Sequence, residues 1–275
     1  MVKKILAKSF IWIMLILMYA PILVLCIYSF TDTKTLGSWN GFSFNLYLKL
    51  FADQEIMVAL FNTLCVAVVS SICATLLGTL GAIGIYYSKK RMKKGLEMAN
   101  QIPVMNAEII MAVSLTILFT LIFAIYKKVT GDELEFNFVT LIIGHMVITT
   151  PFVVLSVMPK LKQMDSNIYE AALDLGASPT TALLKVVLPE IMPGIFSGFL
   201  LSITLSLDDY IITVFTKSDT YMTLSTLVYE KTKKVVPPAM RALTTIIFFV
   251  MLLVVMLINI KNKNVKVKER RRYAK

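Results

Sequence analysis

The sequence predicts an all-α integral membrane protein with six transmembrane helices. Hydrophobic residues make up 57% of the 275 residues, and the mean hydropathy is +0.75, well above that of a soluble domain. Only 16% of the residues are charged, and they cluster between long apolar segments instead of alternating with apolar positions. We expect the whole chain, residues 1–275, to form a single transmembrane domain.

Six apolar segments are long enough to be membrane spans, because a helix of about 20 apolar residues crosses the hydrocarbon core. The first segment follows three lysines. It is longer than the hydrophobic region of a signal peptide and has no small-residue cleavage site, so we expect it to be retained. The predicted spans are residues 11–30, 57–87, 102–126, 138–158, 191–215 and 242–260.

Glycines recur at helical spacing in two of these spans. Gly78, Gly81 and Gly84 lie in the second span, and the pattern Gly194-x-x-x-Gly198 lies near the start of the fifth. Small residues allow two helix backbones to approach closely in a membrane. We expect close helix packing at both places. Phosphate binding is not expected, because the first glycines do not follow a strand.

The distribution of charge predicts the orientation. With six spans, the N-terminus, the basic loop 88–97, residues 165–190 and the C-terminal tail fall on one side, which the positive-inside rule makes cytoplasmic. Loops 31–56 and 127–137 contain more acids than bases and are predicted to lie outside.

One loop fits this orientation poorly. The segment between the fifth and sixth spans would place several basic residues outside, and a re-entrant segment near residues 221–229 would complicate its path. These residues are Lys217, Lys231, Lys233, Lys234 and Arg241.

Residues 165–190 form the one substantial polar interruption with clear helix-start and helix-stop signals. Asp165, Ser166 and Asn167 are good N-cap residues, and Asn167 has capping-box spacing to Glu170. A glycine at position 176 suits the left-handed conformation that ends many helices.

A second helix is predicted after this turn. Serine and proline at 178–179 supply an N-cap and a first helical residue. We expect Leu188-Pro189 and Pro193 to end the helix, since proline has no N–H and clashes with the preceding turn. The result is a helix–turn–helix segment, which we call the elbow, projecting from the membrane.

The elbow resembles the EAA loop of ABC importer permeases. The family pattern is E-A-A, three residues, G, nine residues and I-x-L-P; valine at 186 replaces the isoleucine, which conserves shape. The resemblance implies a type I importer (MetI-like) fold with cytoplasmic termini. It also implies that the elbow docks into a cleft of a separate ATPase, whereas the alternative is a generic cytoplasmic linker. The implied coupling residues are Glu170, Ala171, Ala172, Gly176, Leu188 and Pro189.

The sequence contains little that suggests catalysis. No glycine is followed by lysine, so the chain has no P-loop, and we expect ATP and Mg²⁺ to be bound by the partner ATPase and no cofactor or metal by this chain. The single histidine, His145, is interpreted as a hydrogen-bonded packing residue. The cysteines lie in apolar segments and are interpreted as packing residues. We do not expect an enzyme, and the net charge of +11 is attributed to the membrane side and not to nucleic-acid binding.

Carboxylates inside the predicted spans are candidates for a translocation path, because charge in a membrane usually faces a cavity or a partner. Asp208 and Asp209 are adjacent in the fifth span, followed by Tyr210, and Glu108 lies in the third. One interpretation is a cation-attracting element. The other is a helix break that is hydrogen-bonded within the fold or paired with another subunit.

A second resemblance narrows the family. The segment Ser206–Phe215, with Tyr19–Ile22, Ser29-Phe30 and Asn62–Leu64, is similar to permeases of spermidine/putrescine importers. This implies polyamine transport, although iron, thiamine, phosphonate and opine permeases are related. The implied partners are a homologous permease or second copy of this chain, an ABC ATPase dimer, an extracellular substrate-binding protein and membrane lipid.

Two other classes of protein remain as alternatives. An ion-coupled secondary transporter would show ionisable relays in several spans and internal repeats, neither of which is clear. A membrane scaffold or receptor subunit would leave the elbow unexplained.

Overall fold

The computed structural model describes residues 2–33, 37–165, 167–232, 238–250 and 252–253, with side chains from residue 8 onward. Helices account for nearly all of this part of the chain, as predicted. They are α1 (Val2–Tyr28), α2 (Asn45–Ala52), α3 (Gln54–Tyr87), α4 (Lys90–Met105), α5 (Glu108–Thr130), α6 (Phe138–Gln163), α7 (Asn167–Asp174), α8 (Pro179–Ala182), a π-turn (Leu183–Val187), α9 (Leu188–Asp208), α10 (Ile211–Thr216), α11 (Leu224–Thr232) and α12 (Pro238–Val250).

Five helical segments in the described residues are long and apolar enough to cross a membrane. They correspond to the first five predicted spans, with shifted boundaries. The described helix α12 covers the start of the sixth predicted span; residues 254–260 and the basic tail lie outside the described residues. The five segments are Lys8–Tyr28, Gln54–Tyr87, Glu108–Thr130, Phe138–Gln163 and Pro179–Asp208.

The predicted start of the third span at residue 102 is wrong. Residues 102–105 belong to α4, which also contains most of the segment predicted as loop 88–97. Asn106 and Ala107 have extended backbone and separate α4 from α5. A proline at 103, just before this break, disfavours a regular continuation. The prediction joined the short apolar stretch 102–105 to the span that follows, although polar residues stand at 106 and 108.

The predicted end of the fifth span is also displaced. α9 ends at Asp208, Asp209 has extended backbone, and the short helix α10 follows. Residues 191–215 are therefore two helices. Two shorter helices lie within predicted polar loops. α2 was not predicted, and α11 overlaps the stretch near residues 221–229 that was considered as a re-entrant segment.

The chain divides into two compact units, the first containing the described residues of 1–57 and 228–275 and the second containing 58–227. In the second unit, α6 packs along α9, and α3 joins them. Val153 of α6 is fully buried here. A Cβ added at Gly78 would lie 2.7 Å from the Val153 Cβ, and one at Gly198 would lie 3.1 Å from its Cγ1. Both glycines therefore permit the close packing predicted for them.

The remaining glycines of the two patterns differ. A Cβ at Gly194 would lie 3.1 Å from the Ser156 carbonyl oxygen, so this position is also tight. By contrast, Gly84 has open space around its Cα, and Gly81 would make only an ordinary contact. The packing prediction therefore holds at Gly78, Gly194 and Gly198, whereas no described residue of this chain packs closely against Gly81 or Gly84.

The first unit is held partly by aromatic and polar contacts. The Phe30 ring stacks on Phe42 at 5.3 Å between centroids and lies 5.4 Å from Tyr47. Arg241 is buried, and its Nη1 donates to the Thr33 carbonyl oxygen at 3.1 Å. Outside the spans, Asp32 pairs with Lys49, and hydrogen bonds from Lys49 and Asn45 lower the pKa of the Asp32 carboxyl.

Two of the basic residues that fitted the predicted orientation poorly have partners in this unit. Lys231 pairs with Glu55 at 2.6 Å, and Arg241 is bound as described above. Lys233 and Lys234 lie outside the described residues. The charge of the loop is therefore partly compensated within the fold, which a count of charges could not reveal.

Candidate functional site

The turn of the elbow has the geometry that its glycine predicted. α7 ends at Asp174, and Gly176 has a φ of +85°. The Gly176 N–H donates to the Leu173 carbonyl at 2.9 Å, and the Ala177 N–H donates to the Ala172 carbonyl at 3.1 Å. These two bonds form a Schellman motif, which satisfies carbonyls at the helix end and requires a positive φ at the glycine.

The start of the first helix of the elbow differs from the prediction. Asn167 is the first residue of α7 and not its N-cap, and the Asp165 Oδ1 accepts from the Asn167 N–H at 3.0 Å. Ser166 lies outside the described residues. As predicted, Ser178 caps the second helix, because its Oγ accepts from the Thr181 N–H at 3.2 Å.

The predicted end of the second helix at Pro189 and Pro193 is wrong. α8 runs through the π-turn into α9, and both prolines lie within the continuous helical segment 179–208. The Leu188 N–H donates to the Leu183 carbonyl five residues earlier, which is the hydrogen bond of a π-turn. Pro189 follows directly after this turn and has no N–H to donate. The elbow is therefore continuous with the fifth span.

The elbow exposes an apolar surface. Glu170 and Ala171 are exposed, and Leu175 at the end of α7 is 90% exposed. The sequence resemblance selected the Glu-Ala-Ala residues but did not select Leu175.

The intramembrane carboxylates lie together at a second place in the same unit. Glu108, Asp208, Asp209 and Tyr210 all line one cavity of about 440 Å³. The cavity lies where α4 gives way to α5 and where α9 gives way to α10, so both helix breaks meet there. The rest of the lining is mostly apolar and consists of Pro103, Val104, Asn106, Ile148, Phe152, Leu205 and Ile211.

The two adjacent aspartates have different environments. The Asp209 side chain is only 6% exposed. Its Oδ2 accepts from the Thr213 N–H at 2.9 Å and from the Thr213 Oγ at 3.0 Å, and its Oδ1 accepts from the Ile212 N–H at 3.3 Å. Asp209 therefore caps the break, whereas Asp208 is exposed. The interpretation as a hydrogen-bonded helix break therefore applies to Asp209, whereas cation attraction by Asp208 stays a prediction.

His145 connects the break to the neighbouring helices. Its Nδ1 shares a hydrogen bond of 2.7 Å with the Ser206 Oγ, and its Nε2 shares one of 3.0 Å with the Thr213 Oγ. The Ser206 Oγ in turn lies 3.3 Å from the Ser70 Oγ of α3. The His145 ring is buried and fully used by this network, which agrees with its interpretation as a packing residue.

The chain was compared with known proteins. Residues 1–266 match the family of binding-protein-dependent transport system inner membrane components, so the chain belongs to this family and is an inner-membrane protein. It is 34% identical over 252 residues to the spermidine/putrescine transport system permease protein PotC of Haemophilus influenzae, covering 92% of this chain and 94% of that protein. It is 33% identical to the putrescine transport system permease protein PotI of Escherichia coli, covering 84% and 81%.

Solved structures support the fold independently. A bacterial alginate ABC transporter in complex with an alginate pentasaccharide-bound periplasmic protein has a chain similar to this one with a TM-score of 0.74 and 18% identity, covering 94% of this chain and 91% of that one. A second structure of a bacterial ABC transporter for alginate import gives a TM-score of 0.67 with 14% identity, covering 95% and 96%. At these identities the likeness shows the fold alone.

Proposed function

We propose that this chain is a permease subunit of an ATP-driven importer and forms the translocation pathway for the polyamines spermidine and putrescine. The observation that carries the substrate class is the convergence of Glu108, Asp208 and Asp209 with Tyr210 on one cavity. The named relatives are polyamine permeases, which supports the same class of substrate.

The chemistry of the cavity fits a flexible polyamine. Alkyl amines of the lysine type have a pKa of about 10.4, so polyamines are polycations at neutral pH. Exposed carboxylate oxygens attract such cations, and an aromatic face at Tyr210 adds a cation–π contact. The apolar remainder of the lining accommodates the methylene chains between the amines. Asp208 is the direct contact in this proposal, whereas Asp209 fixes the shape of the break.

We propose that the ATPase contacts the permease at the elbow and displaces it during ATP hydrolysis. Glu170, Ala171, Ala172 and Gly176 would contact a cytoplasmic ABC ATPase, with Leu175 as an additional anchor. Leu188 and Pro189 would join the elbow to the fifth span. Because the helix continues from the elbow into α9, a displacement of the elbow would reach the cavity through a single rigid segment of 30 residues.

The complete transporter is proposed to contain several further components. They are a second permease or another copy of this chain, an ATPase dimer that binds ATP and Mg²⁺, and an extracellular substrate-binding protein. The chain itself would act as a single permease domain with six spans and cytoplasmic termini, embedded in membrane lipid. It would bind no cofactor, metal or nucleic acid and catalyse no reaction.

Uptake of labelled spermidine and putrescine tests the proposal. This chain, its neighbouring permease, an ATPase and a binding protein are produced in cells that lack their own polyamine importers, and the chain is then omitted. We expect ATP-dependent uptake that requires this chain. An assembled complex that hydrolyses ATP but imports no polyamine would contradict the substrate and would favour another small solute such as thiamine.

A further inference from the structure

The elbow has a second attachment that the coupling-loop pattern does not include. Tyr169, which directly precedes the Glu-Ala-Ala sequence, lies on α7 with its ring centroid 5.3 Å from that of Tyr87. Tyr87 is the last residue of α3. The two rings are inclined by 48°, within the range of distances at which aromatic pairs attract each other.

The α3 side of this contact is held in place by its own neighbours. The Tyr86 ring lies 5.1 Å from that of Tyr87, with the planes nearly perpendicular at 88°. The Lys93 Nζ of α4 lies 4.4 Å from the Tyr86 ring centroid and donates to the Tyr86 carbonyl at 3.3 Å. A cation over an aromatic face and a charged donor on the same residue fix the end of α3 relative to α4.

Tyr169 also reaches the buried core of the second unit. It is half-buried and packs, with Tyr86, against the apolar cluster that includes Leu161 and Met164 of the segment leading into the elbow. The ring therefore contacts both the core beneath α7 and the end of α3. The exposed surface that contains Glu170 and Leu175 begins at the next residue.

We propose that Tyr169 is a positioning residue for the coupling of ATP hydrolysis to transport, and that its ring contact with Tyr87 carries displacement of the elbow to α3. This inference rests on the proposed function of the elbow. The elbow is continuous with α9 through the chain, whereas α3 follows the elbow only through side-chain contacts. The apolar cluster supplies some of these contacts, and the Tyr169–Tyr87 pair adds one at the end of α3. α3 contributes Ser70 to the network around His145, so movement of α3 also reaches the break beside the cavity.

The test uses the complete transporter in proteoliposomes and measures the number of spermidine molecules imported per ATP hydrolysed. Tyr169→Ala removes the ring, and Tyr169→Phe keeps the ring and removes only the hydroxyl. Since an aromatic pair changes an equilibrium by roughly 2- to 10-fold, we expect Tyr169→Ala to lower the ratio by about this factor and Tyr169→Phe to stay near the wild-type value. Tyr126→Ala, an exposed tyrosine on α5, controls for loss of a tyrosine ring elsewhere.

The partner residue supplies a second, independent measurement. Tyr87→Ala should lower the ratio as Tyr169→Ala does, and the double variant should be no worse than either single one, because the same contact is lost. Fully additive losses, or an unchanged ratio in Tyr169→Ala, would overturn the inference. If Tyr169→Ala does not assemble, Tyr87→Ala decides alone, with the same ratio as the readout and Tyr87→Phe as the ring-retaining control.

Failure of the proposed function has a different signature. If the wild-type complex imports no spermidine, the proposed substrate is wrong. If it imports spermidine and Gly176→Asp in the elbow leaves import per ATP unchanged, the elbow is not the coupling surface. If the wild type imports and Gly176→Asp uncouples while both tyrosine variants behave as wild type, the coupling surface stands and the role of Tyr169 is rejected.

Discussion

The continuous helical segment 179–208 begins within the exposed elbow and passes through a π-turn there; at its other end, Asp209 and Tyr210 interrupt the helix beside a cavity. The turn of the elbow is held by local bonds, which run from the Gly176 and Ala177 N–H groups to carbonyls three and five positions earlier. The other end is held by bonds between distant residues, such as those of His145 with Ser206 and Thr213. An exposed end built from local contacts suits a partner surface, and a buried end built from distant contacts suits a pathway wall.

This difference explains what could be predicted from the sequence. The turn at Gly176 and the cap at Ser178 depend on neighbouring residues, so the residue types alone indicated them. The convergence of Glu108 with Asp208 depends on the packing of the five helices that line the cavity, which no local pattern encodes. The cost of charge in a membrane singled out carboxylates that the structure brings to one cavity, but it could not distinguish the capping role of Asp209 from the exposed position of Asp208.

The wrong helix boundaries involve prolines. Prolines at 189 and 193 were expected to end a helix, but a π-turn directly precedes Pro189 and the helix continues through both. The break at Asn106 was missed because the apolar residues 102–105, which include Pro103, were assigned to the third span. In both cases proline alone did not indicate whether the helix continues.

We expect the largest effect from disrupting the contact between α9 and α6 at Gly198, which lies in the helical segment between the elbow and the cavity. Gly198→Val should destabilise the complex, because even the Cβ would lie 3.2 Å from the Val153 Cα, a backbone atom that a side-chain rotation cannot move. Overpacking of this kind costs about 1–3 kcal/mol. Thermal unfolding of the purified complex measures the loss. Gly84→Val is the matched control, since its Cβ would lie in open space; equal destabilisation by both would contradict the packing account.

The capping role of Asp209 predicts the next largest effect. Asp209→Ala removes the acceptor for the Ile212 and Thr213 N–H groups, and loss of a cap typically costs about 0.5–2 kcal/mol. We expect a lower unfolding temperature for the complex. Asp208→Ala removes the same charge from an exposed side chain and should leave the unfolding temperature nearly unchanged. A larger effect of Asp208→Ala would reverse the assignment of the two aspartates.

A third prediction tests the elbow. Gly176→Val places a branched side chain at a φ of +85°, which costs roughly 1–2 kcal/mol for an L-residue and should open the turn. We expect import per ATP to fall while spermidine affinity is retained. Gly131→Val is a strained control, because Gly131 has a φ of +84° at the end of α5, outside the elbow. If Gly131→Val uncouples transport equally, strain alone and not the elbow is responsible.

The smallest effect is expected at the exposed carboxylate of the cavity. Asp208→Asn keeps the size and hydrogen-bonding capacity of the side chain and removes its charge. Because a partly solvated ion pair contributes about 0.2–1 kcal/mol, the KM for spermidine should rise roughly two- to fivefold with little change in stability. Concentration-dependent uptake by intact cells measures this change. An unchanged KM would exclude Asp208 from contact with the substrate.

The most direct test of the account compares the two ends in one reconstituted transporter. Spermidine import and ATP hydrolysis are measured together for the wild type, Gly176→Val and Asp208→Asn. The account predicts that Gly176→Val lowers the number of molecules imported per ATP at an unchanged KM, and that Asp208→Asn raises the KM at an unchanged number per ATP. If both variants change the same quantity, the elbow and the cavity do not have separate roles, and the account is wrong.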